Sequence, residues 1–225
     1  MVARVEKPWA RMKIGVFDSG VGGLSVANAV KKALPQAEVM LREDKENLPY
    51  GTKTSKRLLT LVEPILREMV ADGCEVIVVA CNTVTTTIIT QLRERIKVPL
   101  IGMEPMIKPA AEQTKTKVIA VCATPRTLAS DRYNWLKNEY AKGLKVIEPD
   151  CGDWAMMIES ETISRDKIAK IIDDACEQGA DVIVLGCTHY HWIEDLINNL
   201  ANGRATVIQP EQPVINQLKK VMSLN

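Results

Sequence analysis

Short runs of apolar residues alternate along the chain with longer amphipathic stretches. The apolar runs lack the regular alternation of apolar and polar residues that marks a strand with one face in water, so they predict strands buried on both faces. They read KIGVFD, AEVMLRE, EVIVVAC, VPLIGM, KVIAVCA, LKVIEP, DVIVLGC and ATVIQP. The stretches between them have helical periodicity, as in residues 55–71 and 164–177. Strands that alternate with helices in this way predict an α/β fold with mainly parallel sheets.

One of these patterns occurs twice. EVIVVACNTVTT and DVIVLGCTHYHW share an acidic start, an apolar run and a cysteine, and the two cysteines, Cys81 and Cys187, are 106 positions apart. KIGVFDSG and KVIAVCAT form a second pair, 104 positions apart. The repeat predicts two pseudo-symmetric α/β lobes with an active-site cleft between them. We predict a first lobe at residues 1–100, completed by a C-terminal helix within residues 208–225, and a second lobe at residues 101–207.

Residues able to bind or to react follow four of the predicted strands. In sheets of this class such residues lie just beyond the carboxyl ends of the strands, where the next helices begin. Helix N-termini attract carboxylates and thiolates. The residues in question are Asp18, Ser19, Cys81, Asn82, Thr83, Thr124, Cys187, Thr188 and His189. We therefore expect these side chains to meet in one site on the pseudo-twofold axis of the repeat.

Each feature also has an ordinary structural explanation. The glycine-rich segment DSGVGGLS is typical of a tight turn with a close backbone approach, and its spacing fits neither a Walker loop nor a dinucleotide-binding loop. A cysteine beside a strand is by default a small buried apolar residue, but the repeat places Cys81 and Cys187 at matching positions. His189 is either a buried structural histidine or a site residue. Glu159 is either a supporting carboxylate or a solvated helix residue.

Composition and charge narrow the classes of function. The 225 residues are 46% hydrophobic and 25% charged, as in an ordinary globular protein, and the net charge of +1 argues against nucleic acid as an obligatory partner. No apolar run is long enough to cross a membrane, and the N-terminal sequence lacks the apolar core of a signal peptide, so we predict a cytoplasmic protein. The six cysteines form no Cys-x-x-Cys pair, which argues against a metal site and favours thiols in a reducing compartment.

The chain contains the segments IGVFDSGVGGLSV, LPYG, ACNT, IGMEPMIKPA, CATPRTLAS and LGCTHY in this order. In order and spacing these six segments resemble the glutamate racemases of the aspartate/glutamate racemase superfamily, from Lys13 to about Lys219. The resemblance implies two α/β lobes with one catalytic cysteine from each, and glutamate as a small-molecule substrate. It implies neither pyridoxal phosphate nor any other cofactor, and no metal. It further implies a homodimer that supplies D-glutamate for peptidoglycan.

The resemblance also assigns roles to individual residues. It implies that Cys81 and Cys187 are the acid/base pair, and that Asp18, His189 and Glu159 support them in catalysis. By the same resemblance, Cys81 removes the proton from D-glutamate and Cys187 removes it from L-glutamate. The substrate-binding residues that it implies are Asp18, Ser19, Pro49, Tyr50, Gly51, Asn82, Thr83, Thr124, Thr127, Thr188 and His189.

Some positions depart from the family pattern. Arg126 stands between Thr124 and Thr127 where the family has glycine, so we expect this long cation to crowd the cleft or to add a carboxylate contact. His191 follows CTHY where proline is usual, and the chain is shorter than usual after Glu161. Two alternatives stay open. One is a related racemase or isomerase acting on aspartate, hydantoin or maleate, and the other is a catalytically weak amino-acid-binding or regulatory protein.

Overall fold

The computed structural model describes residues 12–223, and within them the strands form two four-stranded sheets that are parallel throughout. The first sheet contains β1 (Lys13–Asp18), β2 (Glu38–Glu43), β3 (Val76–Val79) and β4 (Leu100–Gly102), in the spatial order β2-β1-β3-β4. The second contains β5 (Val118–Ala123), β6 (Lys145–Ile147), β7 (Val182–Gly186) and β8 (Thr206–Ile208), in the order β6-β5-β7-β8. The predicted fold class is confirmed. Residues 1–11, for which the sequence predicts no signal peptide, lie outside the described residues.

Helices flank both sheets and connect the strands. They are α1 (Gly22–Ala33), α2 (Ser55–Ala71), α3 (Asn82–Arg95), α4 (Ile107–Gln113), α5 (Pro125–Leu128), α6 (Asp131–Tyr140), α7 (Trp154–Glu159), α8 (Arg165–Glu177), α9 (Glu194–Ala201) and α10 (Glu211–Ser223). Three 3-10 helices are also described: Lys45–Asn47 and Tyr50–Thr52 follow strand β2, and Thr188–Ile193 follows strand β7. Helix α2 has the predicted bounds. Helix α8 begins after Ser164, whose hydroxyl accepts a hydrogen bond from the Lys167 N–H at 3.4 Å.

The two sheets repeat one topology at the spacing found in the sequence. Strands β3 and β7 begin at Val76 and Val182, which are 106 positions apart, and strands β1 and β5 begin 105 positions apart at Lys13 and Val118. Each sheet places its first strand second in the spatial order, between the next two strands of the chain. Cys81 after β3 and Cys187 after β7 therefore stand at equivalent points of the two halves.

Burial explains why the strands lack alternation. All residues of β3 and of β7 are buried, because helices cover both faces of each sheet. Helix α8 has the amphipathic pattern of a covering helix, with Ile168, Ile172 and Ala175 buried against the second sheet. The carboxyl ends of the strands remain as the place where polar side chains from different strands can meet.

The C-terminal helix α10 packs on the first sheet. Val214 and Leu218 belong to the same buried cluster as Ile14 and Val16 of β1. This is the contact expected of a helix that completes the first lobe, although the lobe boundaries at residues 100 and 208 stay a prediction. Among the helices of residues 12–223, none combines the length and the apolar character that crossing a membrane requires.

Candidate active site

One cleft is lined by residues that follow β1, β3, β5 and β7. It contains Cys81 and Cys187, whose exposed fractions are only 4% and 7%. The other predicted residues that line it are Ser19, Pro49, Tyr50, Gly51, Asn82, Thr83, Thr124, Thr188 and His189. A larger groove of about 620 Å³ runs beside α4, α6 and α10, but it contains none of the predicted site residues. We therefore assign the candidate site to the cleft with the two thiols.

Cys81 lies in an apolar, anionic setting. Its sulfur is 3.5 Å from Oγ of Ser19. Burial, together with the nearby Asp18 carboxylate, raises the pKa of the Cys81 thiol to about 12, against smaller opposing hydrogen bonds from Ser19 and the Val84 N–H. In the free protein at neutral pH, Cys81 is consequently a neutral thiol.

Cys187 has a cation beside it. Its sulfur lies 3.8 Å from Nδ1 of His189, and Nε2 of the same ring lies 2.7 Å from Oε1 of Glu159. Burial alone would lower the pKa of His189, but the contacts with Cys187 and Glu159 outweigh it and raise the pKa to about 11. His189 is thus an imidazolium at neutral pH. The two thiols are equivalent in topology but unlike in their electrostatic surroundings.

Glu159 is held inside the protein, so its interpretation as a solvated helix residue is wrong. Its side chain is 11% exposed, and its Oε1 also accepts a hydrogen bond from the Val21 N–H at 2.7 Å. Burial would raise the pKa of Glu159, but the hydrogen bonds from His189 and Val21 lower it. The Val21 contact joins α7 of the second half to the start of α1 in the first, across 138 positions of chain.

Asp18 ends β1 and also contacts the second half. Its Oδ2 accepts a hydrogen bond from the Thr188 hydroxyl at 3.0 Å, whereas its buried Oδ1 meets no hydrogen-bond donor within the described residues. Burial raises the pKa of Asp18 to about 6, although the charge of His189 and the hydrogen bond from Thr188 act in the opposite direction. Asp18 therefore changes its charge near neutral pH, unlike an ordinary carboxylic acid.

Asp18→Asn is expected to change how the free energy of unfolding depends on pH. The folded chain keeps the Asp18 proton up to about pH 6, whereas the unfolded chain releases it near the ordinary pKa of 3.8. The unfolded state therefore binds fewer protons between these values, and the stability of the unsubstituted protein falls as pH rises, by about 3 kcal/mol in total. Asparagine does not titrate, so urea unfolding should show Asp18→Asn gaining about this much relative stability between about pH 4 and about pH 7. Parallel pH profiles for the two proteins would contradict this.

The glycines of DSGVGG permit a close approach of the two halves. A Cβ at Gly20 would overlap Oε1 of Glu159 and lie 2.7 Å from Nε2 of His189. A Cβ at Gly22 would lie 2.5 Å from Oγ1 of Thr188. The interpretation of this segment as a turn with a close backbone approach is confirmed, and the neighbour that it approaches is the segment carrying Cys187.

Three threonine hydroxyls from the two halves of the chain meet one another. Oγ1 of Thr83 lies 2.9 Å from Oγ1 of Thr124 and 3.4 Å from that of Thr127, and the Thr124 hydroxyl donates to Thr127 at 3.0 Å. Because each hydroxyl can donate as well as accept, the group can turn its protons toward a bound anion. Gly51 packs against Thr124 so closely that a Cβ there would lie 2.9 Å from the threonine Cβ.

Asn82 and Tyr50 are oriented by groups that we did not predict. The Asn82 amide donates to the Met103 carbonyl at 3.0 Å, and its buried Oδ1 meets no donor within the described residues. The Tyr50 hydroxyl donates to Oδ2 of Asp44 at 2.6 Å. Asp44 stands six positions before Tyr50, at the start of the run DKENLPYG, which ends in the family segment LPYG. Further lining residues that lacked a chemical signal are Leu48, Thr52, Pro125, Gly152, Ala155 and Met156.

Two departures from the family pattern lie outside the cleft. Arg126 extends from α5 to the start of α2, where its Nη2 donates to Oγ of Ser55 at 2.6 Å, so the expectation that it crowds the cleft is wrong. His191 lies with Nδ1 3.2 Å from Oγ of Ser25. Burial, helped by the charge of His189, lowers the pKa of His191 to about 4, so it stays neutral.

The arrangement as a whole can move protons. A neutral thiol and a thiol beside an imidazolium share one water-poor cleft with several hydrogen-bond donors, so a carbon acid bound between them could lose a proton to one side and gain one from the other. Within residues 12–223, no group of three or more His, Cys, Asp or Glu side chains is arranged to hold a metal ion. The catalytic and binding roles of the individual residues stay predictions.

The chain is similar to a set of known proteins along most of its length. It matches the family model described as Asp/Glu/Hydantoin racemase over residues 24–217. It is 38% identical to the glutamate racemase of Herpetosiphon aurantiacus over 93% of this chain and 84% of that protein. It is 36% identical to the glutamate racemase of Methylococcus capsulatus over 92% of this chain and 78% of that protein. The solved structure of Escherichia coli glutamate racemase with L-glutamate and the activator UDP-MurNAc-Ala superposes with a TM-score of 0.87 at 26% identity, over 94% of this chain and 82% of that one.

Proposed function

Since the chain belongs to the Asp/Glu/hydantoin racemase family, we propose that it interconverts L- and D-glutamate with Cys81 and Cys187 as opposed acid/base groups. It is an enzyme of the isomerase class, a glutamate racemase. The observation that supports the two-cysteine mechanism is the cleft itself, which encloses two buried thiols from equivalent positions of the repeat.

Racemisation requires a proton to leave one face of Cα and another to arrive at the opposite face. In the direction from L-glutamate, the Cys187 thiolate takes the Cα proton and the Cys81 thiol gives its proton to the other face. In the direction from D-glutamate the two cysteines exchange these roles. After each turnover the thiols have exchanged protonation states, so a proton must return through neighbouring groups or solvent before the same direction can repeat.

The two thiols have unlike surroundings. The imidazolium of His189 stabilises negative charge on Cys187, while burial and Asp18 keep Cys81 protonated. The direction from L-glutamate requires this combination, with the negative charge on Cys187 and the proton on Cys81. For the reverse direction Cys81 must ionise, and the substrate ammonium is a cation that can offset the unfavourable burial of that charge.

The intermediate carbanion needs donors around the substrate carboxylate that gains negative charge. Asn82 and Thr83 begin α3, and Thr188 begins the 3-10 helix after Cys187, so backbone N–H groups and side-chain donors are directed into the cleft from both halves. We assign carboxylate binding to these residues and to the hydroxyl groups of Thr124 and Thr127. The low exposure of the cleft strengthens each of these interactions by excluding water.

Gly20→Ala is expected to lower kcat/KM for glutamate by about 10²-fold, because the new methyl group displaces Glu159 and His189 from Cys187. Steady-state kinetics and the melting temperature should be measured together with the control Gly203→Asn. Gly203 has a φ of +75° and nothing lies within 4 Å of an added Cβ, so asparagine should fit there without loss of activity. Full activity in Gly20→Ala would show that the Glu159–His189 pair does not support Cys187.

The remaining features of the proposal come from the family resemblance. We propose that the enzyme needs no cofactor, acts in the cytoplasm, supplies D-glutamate for peptidoglycan and forms a homodimer. Light scattering that found only a particle of monomer mass, 24.9 kDa, at micromolar concentration would contradict the homodimer.

Circular dichroism of D- and L-glutamate incubated with the purified enzyme tests the function. Without any added cofactor, the optical signal of either enantiomer should decay to zero, whereas aspartate should keep its signal. The Cys81→Ser, Cys187→Ser double variant is the control for contaminating racemase. Loss of signal with aspartate alone would favour an aspartate racemase, and binding of glutamate without loss of signal would favour an amino-acid-binding protein.

A further inference from the structure

Arg126 joins the two halves of the chain at the edge of the cleft. It belongs to α5 of the second half, and its Nη2 donates a hydrogen bond of 2.6 Å to Oγ of Ser55, the first residue of α2 in the first half. Both residues of this contact are close in sequence to residues that line the cleft. Pro125 precedes Arg126, and Thr52 lies three residues before Ser55.

The element that carries Arg126 has little stability of its own. Helix α5 contains four residues, which is one turn, and a helix of that length depends on contacts with its surroundings. It holds the two threonines proposed to bind the substrate, Thr124 as its N-cap and Thr127 within it. Where α5 lies relative to the first half therefore decides whether Thr124 can reach Thr83 and close the cleft.

The contact is suited to opening and closing. The cation of Arg126 meets the N-terminus of α2, where the helix dipole disfavours positive charge. Its Nε is buried and meets no acceptor within the described residues, which further weakens the closed arrangement. The Ser55 hydroxyl is not needed by its own helix, because the N-cap of α2 is Thr54, which accepts from the Arg57 N–H at 3.2 Å.

We propose that Arg126 is a positioning residue that holds the substrate cleft closed through Ser55. When the hydrogen bond breaks, α5 separates from the segment before α2 and the cleft opens toward both thiols. When it forms, Thr124 and Gly51 come together and the hydroxyls are set for the substrate. The proposal rests on the glutamate racemase function, since it assigns a role in that site, but closure itself can be measured without turnover.

The first test is the reaction of the thiols with iodoacetamide, followed at each cysteine by peptide mass spectrometry. Arg126→Gln should raise the alkylation rate of Cys81 and Cys187 by about fivefold, the effect of losing one such hydrogen bond. Loss of a nearby positive charge would by itself make a thiolate less available, so a faster reaction reports opening. The half-buried Cys176 is an internal reference that should react at an unchanged rate. Unchanged rates at Cys81 and Cys187 would overturn the proposal.

Matched variants separate closure from helix stability. Ser55→Ala should have the same effect as Arg126→Gln, and the double variant should react no faster than either single variant, because both remove one bond. Arg126→Lys should restore part of the protection, since a lysine ammonium can also donate to Ser55. Thr54→Ala removes the cap of α2 but not the bond, so it should lower the melting temperature without faster alkylation at the two site thiols. Independent, multiplying effects of Arg126→Gln and Ser55→Ala would overturn the proposal.

Kinetics provide the second readout. If the open form binds substrate poorly and is the minor form of the free enzyme, as a fivefold rise in alkylation requires, KM for both glutamate enantiomers should rise by less than about twofold in Arg126→Gln. The value of kcat should not be lowered, because saturating substrate closes every molecule. A fall in kcat would contradict a role in closure. Protein that alkylates as expected but racemises nothing would refute the proposed function and leave the closing role of Arg126 in place.

Discussion

Cys81→Ser and Cys187→Ser are each expected to lower kcat/KM for racemisation by about 10³-fold or more, in both directions. A serine hydroxyl is far too weak an acid to supply a base near neutral pH, and each direction needs one cysteine as base and the other as acid. Cys176→Ser is the matched control, because Cys176 is a half-buried thiol that does not line the cleft. Its activity should equal that of the unsubstituted enzyme.

The single variants should still perform half of the reaction. β-Chloroglutamate loses chloride after proton abstraction and needs no second proton at Cα, so one base is sufficient. Cys81→Ser retains Cys187 and should eliminate chloride from the L-enantiomer, and Cys187→Ser should eliminate it from the D-enantiomer. Elimination from the same enantiomer by both variants would contradict the placement of the two thiols on opposite faces.

Glu159→Gln is expected to lower kcat/KM by about 10²-fold. Burial alone disfavours the His189 cation, whereas the contacts with Cys187 and Glu159 stabilise it. A neutral glutamine at position 159 should therefore lower the pKa of His189. In the variant, the positive charge beside Cys187 is then lost at a lower pH than in the unsubstituted enzyme. The loss in kcat/KM must be equal for both enantiomers, because the equilibrium constant of a racemisation is one. A difference between the two directions can therefore appear only in the individual values of kcat and KM, and not in their ratio.

Irreversible elimination reveals which thiol depends on Glu159. Chloride loss from L-β-chloroglutamate, which uses Cys187, should fall much more than loss from the D-enantiomer. The basic limb of the pH profile of chloride loss from the L-enantiomer should also move to lower pH, since His189 of the variant loses its proton at a lower pH. Glu161→Gln, an exposed side chain two residues along, is the control and should change neither rate. Equal losses from both enantiomers would show that Glu159 acts on the whole cleft and not through His189.

The fold and the position of the site followed from local features of the sequence. Unbroken Val/Ile runs predicted strands covered on both faces, and the spacing of 106 residues between Cys81 and Cys187 predicted two equivalent sheets. Strand ends in parallel sheets gather at one edge, so the residues that follow β1, β3, β5 and β7 could be placed together before any contact was known.

Contacts between the two halves could not be predicted in this way. The hydrogen bond from Val21 to Glu159 joins residues 138 positions apart, and Glu159 has no sequence pattern that distinguishes it from a solvated helix residue. The sequence indicated that the glycines of DSGVGG allow a close approach of the backbone. It did not indicate which segment of the chain approaches them. Arg126 was expected in the cleft from its neighbours in sequence, whereas the direction of its side chain depends on Ser55, 71 positions away.

The central claim is that two different groups act on opposite faces of Cα, and racemisation in heavy water tests it most directly. L-Glutamate should be converted only to a small extent. The two enantiomers are then separated, and the deuterium content of each is measured by mass spectrometry. With two thiols, the D-glutamate formed should carry deuterium at Cα, because its proton comes from a group that exchanges with solvent, while the remaining L-glutamate should carry none. The mirror-image result is predicted from D-glutamate. Product that retains the original protium, or deuterium appearing equally in the unconverted substrate, would mean that one group serves both faces and would contradict the account.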